Sequence, residues 1–336
     1  MLRDKLLLSA GGSGVSWSTS LSVAAKTYHG ANFVNGYFIV PACDGSAIYY
    51  SADGKSWNSG AALPAITISG SVPGWCGVQY VGGKYIAMPN DAFYYGNETY
   101  GAYAYSSSPG GPWSTGSLTP SSTTGWVLSN GFVSDGTGVG ICIGSIQGTI
   151  NYPTWFAYTT NGTSWSYYTM QTGSMLLPYG LSYGNGVWVA TSESSYGGLS
   201  HPCFYSTNMS TWNSVGLPNQ GGLNRFVNGY HVVIGWSWGG IIVSTNGSTW
   251  TQYTRAQLGI ADTNFYPIDI VYGNGLYMII GSYSAGTKGA YVSTNLTSGY
   301  TWLPFPSSQN AQEVAFGNGL FCAPTDAGMF FTTTGK

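Results

Sequence analysis

The sequence predicts an all-β fold, a seven-bladed β-propeller with four strands in each blade. Three observations support this prediction. A Gly-rich hairpin turn recurs seven times, a second turn built on Asp or Asn and closed by Trp recurs beside it, and the two chain ends together supply one more copy of the second turn. A repeat of this size with two hairpin signals per unit is typical of propeller blades.

The first marker is a Gly-rich turn between two apolar strands, as in residues 33–38 (FVNGYF). Asn-Gly between apolar strands is a strong signal for a two-residue hairpin. Successive copies lie 43 to 53 residues apart, which leaves room for four short strands in each unit. The turn glycines are Gly36, Gly83, Gly136, Gly186, Gly229, Gly275 and Gly319.

The second marker is a turn of the type seen in residues 244–250 (STNGSTW), which we call the Asx turn. We expect the Asp or Asn side chain to accept backbone amides, Gly to take a positive φ and Trp to pack into the core. The turn residues are Asp53, Asn161, Asn208, Asn246 and Asn295. The matching tryptophans are Trp57, Trp165, Trp212, Trp250 and Trp302, with Trp113 closing a degraded copy that begins at Ser106.

The seventh Asx turn is divided between the two chain ends. Residues 330–336 (FFTTTGK) align with residues 49–55 (YYSADGK) and stop where the Trp strand should begin. Residues 17–21 (WSTSL) resemble residues 113–118 (WSTGSL), so Trp17 should supply the missing strand. Pairing the two ends would close the ring and remove exposed sheet edges.

This repeat predicts one propeller domain over residues 15–336, preceded by an N-terminal extension of residues 1–14. Because Gly and β-branched residues are frequent throughout, we expect no helix. The predicted blades are residues 28–70, 74–122, 125–174, 178–218, 220–260, 266–305, and 310–336 together with 15–25.

The Ser/Thr-x-Asp-x-Gly-x-x-Trp turn resembles the Asp-box, or BNR, repeat of sialidase-like propellers over nearly all of residues 15–336. Such a resemblance implies a fold and leaves the function open. A sialidase of that family clamps a carboxylate with three arginines. This chain has only Arg3, Arg225 and Arg255, and Arg3 lies outside the repeats, so sialidase activity is not expected. The Gly/Ser/Tyr-rich composition and residues 6–12 (LLLSAGG) also resemble bacteriophage tail-fibre and appendage proteins.

Composition narrows the classes of partner. Charged residues make up 6% of the chain, against about 25% in ordinary soluble domains, while aromatics reach 16%. A surface of Ser, Thr, Asn, Gly and Tyr is typical of extracellular or virion β-proteins. The nine basic residues are scattered singly, so we expect no nucleic-acid partner. The N-terminal apolar run is too short for a signal peptide or a membrane helix.

Two carboxylates are the candidates for chemistry. Asp269 and Glu313 each lie six residues before a turn glycine, so they should occupy the same place on adjacent inner strands near one mouth of the central channel. One interpretation is a two-carboxylate glycosidase. The alternatives are a solvated channel mouth or an ion and water site. Histidines and cysteines show no ligand spacing, so no metal or cofactor is expected.

Aromatic side chains outside the repeated core positions are the candidates for ligand binding, because ring faces stack on sugar rings. The alternative is that they cover blade ends. The candidates are Trp236, Trp238, Trp155, Tyr94, Tyr95 and Tyr100.

We therefore expect a non-enzymatic virion structural or recognition protein, a tail-fibre-like appendage that contacts host-surface glycan. Residues 1–14 would dock onto other virion proteins or lie across their own propeller. One alternative is a cellular carbohydrate-binding lectin or glycosidase-like propeller. The other is a capsid or tail decoration protein without a ligand.

Overall fold

The structure is a computed structural model that describes residues 15–21, 30–65, 75–89, 101–118, 126–145, 154–171, 178–192, 201–235, 238–283, 288–306, 309–325 and 328–334. Its strands form seven separate four-stranded antiparallel sheets, the blades of a seven-bladed β-propeller. The predicted fold class is confirmed. The hydrophobic clusters combine side chains of neighbouring blades, so the core lies between the sheets.

The first strand in the chain is β1 (Val15–Leu21). Blade 1 contains β2 (Asn32–Val34), β3 (Tyr37–Pro41), β4 (Ile48–Ser51) and β5 (Asn58–Ser59). Blade 2 contains β6 (Trp75–Val81), β7 (Lys84–Pro89), β8 (Gly101–Ser106) and β9 (Ser114–Leu118). Blade 3 contains β10 (Trp126–Ser134), β11 (Val139–Ser145), β12 (Thr154–Thr159) and β13 (Ser166–Gln171).

Blade 4 contains β14 (Pro178–Gly184), β15 (Val187–Ser192), β16 (Pro202–Ser206) and β17 (Asn213–Gly216). Blade 5 contains β18 (Asn224–Val227), β19 (Tyr230–Gly235), β20 (Gly240–Ser244) and β21 (Thr251–Tyr253). Blade 6 contains β22 (Phe265–Gly273), β23 (Leu276–Tyr283), β24 (Gly289–Ser293) and β25 (Thr301–Pro304). Blade 7 contains β26 (Ala315–Gly317), β27 (Leu320–Thr325), β28 (Gly328–Thr334) and the first strand, β1.

The N-terminal strand closes the ring. β1 pairs antiparallel with β28, and Trp17 lies opposite Thr332. In blade 5 the pair Val243↔Thr251 puts Trp250 opposite Ser244, which is the same place in the turn. The divided seventh turn is therefore assembled in the register that the sequence predicts.

The Asx turns have the expected hydrogen bonds. Asp53 Oδ1 accepts the amides of Lys55 (2.9 Å) and Ser56 (2.7 Å), and these bonds lower its pKa to about 2. Asn246 Oδ1 accepts the two corresponding amides at 3.0 and 2.9 Å, and Gly247 has a φ of 73°. Asn161, Asn208 and Asn295 accept in the same way.

Most of the turn tryptophans, from Trp57 to Trp250, are partly buried against these clusters, and Trp17 is 8% exposed. The prediction for Trp302 is wrong. The pair Val292↔Thr301 places Tyr300, not Trp302, opposite Ser293. One extra residue in this turn shifts the register, so Tyr300 is buried while Trp302 is 36% exposed on β25.

The Asn-Gly hairpins also join the blades. Five turn asparagines adopt a φ between 46° and 51°, which this turn requires. Their side-chain amides reach the next blade, as Asn35 does to Tyr85 Oη (2.8 Å) and Asn318 to the Ala52 carbonyl across the ring closure (2.5 Å). Each of these residues therefore sets a turn and bonds to a neighbouring blade.

The expectation of no helix is also wrong, because one helical turn, α1 (Arg255–Leu258), follows β21. Thr254 and Gln257 form a capping box at its start, and Gly259 ends it with a φ of 84°. Within the described ranges, no helix is both long and apolar enough to cross a membrane.

Candidate functional site

Equivalent positions of the inner strands carry the polar side chains of the central channel. We call the third residue before each hairpin turn the crossing position, because its polar members bond to the next blade. The seven crossing residues are Asn32, Gln79, Phe132, Ser182, Arg225, Val271 and Ala315.

Two crossing residues bond to the backbone of the next blade. Asn32 Oδ1 accepts the amide of Val78 at 2.7 Å, and Gln79 Nε2 donates to the carbonyl of Phe132 at 3.1 Å. These bonds hold both side-chain amides in defined orientations.

Ser182 bonds to a side chain instead. Its Oγ lies 2.8 Å from Nδ1 of His231 in blade 5. His231 is fully buried, and burial lowers its pKa to about 4, so the imidazole is neutral at physiological pH. Its Nε2 has no partner among the described residues.

Arg225 joins the two predicted carboxylates into one cluster. Its Nε donates to Asp269 Oδ1 at 2.8 Å, and its Nη2 lies 3.4 Å from both Asp269 Oδ2 and Glu313 Oε2. Asp269 is 1% exposed and Glu313 15%, so neither lies in a solvated mouth. Sequence analysis missed this arginine, although its crossing position was a usable signal.

Backbone amides complete the bonding of both acids. Asp269 also accepts the amides of Ile270 (2.9 Å) and Val314 (3.1 Å). Glu313 interacts with the amides of blade 1 just before β2, so the cluster connects blades 5, 6, 7 and 1 across the ring closure. Burial raises the pKa of Glu313, and the Arg225 charge opposes that rise. Asp269 therefore accepts hydrogen bonds from four donor groups. We interpret the cluster as a structural connection between blades.

A cavity of about 260 Å³ lies beside Arg225, in the half of the channel towards the Asn-Gly hairpins. Its polar lining comes from Gln79, Ser134, Ser182 and Arg225. The rest of the wall is largely aromatic.

Tyr183 and Phe226 of that wall belong to a ring of half-buried side chains one residue after the crossing positions, which we call the aromatic collar. Each collar residue packs against an aromatic or imidazole ring on the second strand of its own blade, with centroids 4.6 to 4.9 Å apart. Blade 3 has Val133 at this position. The collar residues are Phe33, Tyr80, Tyr183, Phe226, Tyr272 and Phe316.

Two of the aromatic residues predicted to bind ligand, Trp155 and Trp238, pack against the propeller itself. Trp155 lies within β12 and is partly buried against the cluster between blades 2 and 3. Trp238 caps the end of blade 5, where its Nε1 donates to the Gln220 carbonyl at 2.7 Å. The remaining candidates, Trp236, Tyr94, Tyr95 and Tyr100, lie outside the described residues, as do residues 1–14.

A second cluster, half-buried at the surface, is formed by Trp238 and two neighbouring side chains. The Arg255 guanidinium lies over the Tyr266 ring, 5.5 Å from its centroid, and its Nη1 donates to the Thr263 carbonyl at 2.5 Å. A Cβ on Gly239 would overlap that guanidinium, so Arg255 also lies against the turn after Trp238. Tyr266 is 36% exposed. We call Trp238, Arg255 and Tyr266 the aromatic–cation cluster; no repeat position indicated it.

The two faces of the propeller differ in construction. One carries the Asn-Gly hairpins and the Asx turns, whose lengths hardly vary between blades. At the other, second strands end and third strands begin, and the number of residues between these strand ends varies widely, from the short step Thr325 to Gly328 in blade 7 to the long step Pro89 to Gly101 in blade 2. We call these the turn face and the variable face. The aromatic–cation cluster belongs to the variable face.

Comparison with known proteins supports the fold alone. No protein-family model matches the chain, and no curated protein matches it. Among solved structures, the chain is similar to virginiamycin B lyase from Staphylococcus aureus, in a catalytically inactive form with quinupristin (TM-score 0.67, 11% identity, 95% of this chain and 99% of that one). It is also similar to YCF48 from Cyanidioschyzon merolae (0.61, 12%, 94% and 98%) and to YCF48 bound to a D1 peptide (0.62, 13%, 95% and 94%).

Proposed function

We propose that the protein is a non-enzymatic recognition module, a tail-fibre-like virion appendage that binds host-surface glycan through its variable face. The main support for this proposal is the difference in the lengths of the connections on the two faces. In repeat proteins, variation in length concentrates on the loops of the binding face, while the constant turns maintain the fold. Two of the similar solved structures are propellers with a peptide or quinupristin as ligand, which is compatible with a binding role.

The aromatic–cation cluster suits a glycan. Tyr266 presents an exposed ring for stacking against the apolar face of a sugar. Arg255 is fixed by Thr263 and by the ring, so its guanidinium can donate hydrogen bonds without losing much conformational freedom.

The carboxylate cluster argues against hydrolysis. A glycosidase needs one carboxyl group free to protonate the leaving oxygen and another free to attack or to activate water. Asp269 is buried and saturated with donors, and Glu313 is directed at Arg225 and the blade 1 backbone. Among the described residues, no group of three His, Cys, Asp or Glu could hold a metal.

The test of recognition is a glycan array probed with the intact chain and two matched variants. Tyr266→Ala should abolish or strongly weaken binding. Tyr230→Ala removes a ring of nearly equal exposure (37%) from the turn face and should leave binding unchanged. Equal effects of the two variants, or an array without a hit, would refute glycan recognition at this face.

The virion assignment has a separate test. Mass spectrometry of purified particles from the source culture should find the protein at a defined copy number. Its absence from particles while present in the soluble fraction would favour the cellular lectin alternative.

A further inference from the structure

We propose that the cavity at the turn-face half of the channel is a second binding site, specific for one neutral sugar ring. It is separate from the aromatic–cation cluster, because it is formed by inner strands of blades 2 to 5 and lies towards the opposite face. The proposal rests on its polar lining, its aromatic wall and its charge balance.

The polar lining is held in place before any ligand arrives. Gln79, Ser182 and Arg225 are each fixed by a bond to the next blade, at 3.1, 2.8 and 2.8 Å. Ser182 is 1% exposed and bonded to His231, so the groups that can meet the donors and acceptors of a polyol are the Gln79 amide, the half-buried Ser134 hydroxyl and the Arg225 guanidinium, which is 21% exposed. An apolar ligand would bury the same groups without replacing their water, which disfavours it.

The aromatic wall supplies the stacking surface. Tyr183 and Phe226 from the collar and Phe132 from the crossing position line the cavity. The Tyr183 ring is itself braced 4.6 Å from Trp188. The 260 Å³ of the cavity corresponds to about nine waters at about 30 Å³ each. This is room for a single sugar ring and not for a chain of sugars.

Charge balance selects against acidic sugars. Arg225 is the charged residue of the cavity wall, but Asp269 contacts it at 2.8 Å and Glu313 at 3.4 Å on the other side. An anion entering the cavity would therefore meet no net positive charge and would approach two carboxyl groups. A neutral ligand avoids this repulsion.

The experiment is titration calorimetry of the intact chain with glucose, galactose, N-acetylglucosamine and glucuronate. At least one neutral sugar should bind saturably, and glucuronate should bind about tenfold more weakly or not at all. Tyr183→Val should weaken the neutral sugar by roughly tenfold through loss of stacking. Val is the residue that blade 3 itself holds at this position.

The matched control is Tyr272→Val, a collar residue with the same 4.6 Å ring contact that does not line the cavity. It should leave affinity unchanged. If Tyr266→Ala instead of Tyr183→Val abolished the measured binding, the sugar would lie at the variable face and not in this cavity. The proposal fails if no neutral sugar binds, if glucuronate binds equally well, or if both collar variants reduce affinity alike. Thermal melts of each variant show whether a loss of binding reflects unfolding.

Discussion

Replacing Trp17 with Ala tests whether the N-terminal strand is an integral part of blade 7. Trp17 is 8% exposed and its ring lies 5.1 Å from Phe305 in an edge-to-face contact. A buried Trp hides about 150–250 Å², worth roughly 4–6 kcal/mol at 25 cal/mol/Å² as an upper bound. Its Nε1 is buried without a partner among the described residues, which reduces the gain by about 1–2 kcal/mol. We expect a loss of about 3 kcal/mol.

Two matched variants check the register of the turn. Trp302→Ala removes the same side chain from a site that is 36% exposed but packs against Tyr291 at 5.1 Å, and should cost about 2 kcal/mol, less than Trp17→Ala. Tyr300→Ala empties the buried place opposite Ser293 and should cost about as much as Trp17→Ala.

The assay is guanidinium unfolding, with the free energy of unfolding compared at an unchanged m-value. Two results would contradict these expectations: a cost below about 1 kcal/mol for Trp17→Ala, or a cost of Trp302→Ala equal to that of Tyr300→Ala. The first result would mean that β1 contributes little to closure, and the second that Trp302 is a core residue.

Three further predictions concern the joints between blades. Asp269→Ala leaves Arg225 without its main partner and should lower the free energy of unfolding, measured with denaturant, by about 3–5 kcal/mol. A loss below about 1 kcal/mol would contradict the role of the cluster as a connection between blades. The contribution of His231 to stability should fall as the pH drops from about 6.5 to about 4, because the unfolded chain protonates this imidazole before the native chain does. The raised pKa of Glu313 acts in the opposite direction, so the check is the free energy of unfolding of the wild type minus that of His231→Phe. This difference should fall over the range, and a constant difference would exclude His231 as a source of pH dependence. Asn318→Gly keeps the positive φ and loses the bond to Ala52, so thermal melts should show a loss of stability of about 1 kcal/mol. Asn318→Ala should lose more stability, because it adds about 1–2 kcal/mol of backbone strain. Equal losses would mean that the turn conformation costs nothing.

The fold could be predicted because its turns tolerate few alternatives. A two-residue hairpin needs a positive φ, which Asn and Gly supply, so Asn35-Gly36 and its copies mark each blade in the sequence. The Trp302 error has the same physical origin. Gly299 allows one extra residue in that turn, and a register shift of this kind cannot be recognised from spacing while a Trp stands nearby.

The candidate sites were less accessible to sequence analysis. Asp269 and Glu313 were found because they depart from the repeat, but their partner Arg225 lies in blade 5, and no spacing in the sequence shows that Glu313 comes within 3.4 Å of it. The stacking of Arg255 on Tyr266 depends on the path of the chain after α1, for which no pattern exists.

The placement of β1 beside β28 decides how the domain bears a pulling force. Val15 lies opposite Thr334, so both ends of the described chain leave from the turn face. If the protein were held at residue 15 while a ligand pulled on the variable face, the load would run along β1. The pairs between Val15 and Leu21 would then share that load in shear. A force applied between the two chain ends would instead open the pairs one after another, beginning at Val15. The propeller should therefore resist tension across its faces far better than tension between its termini.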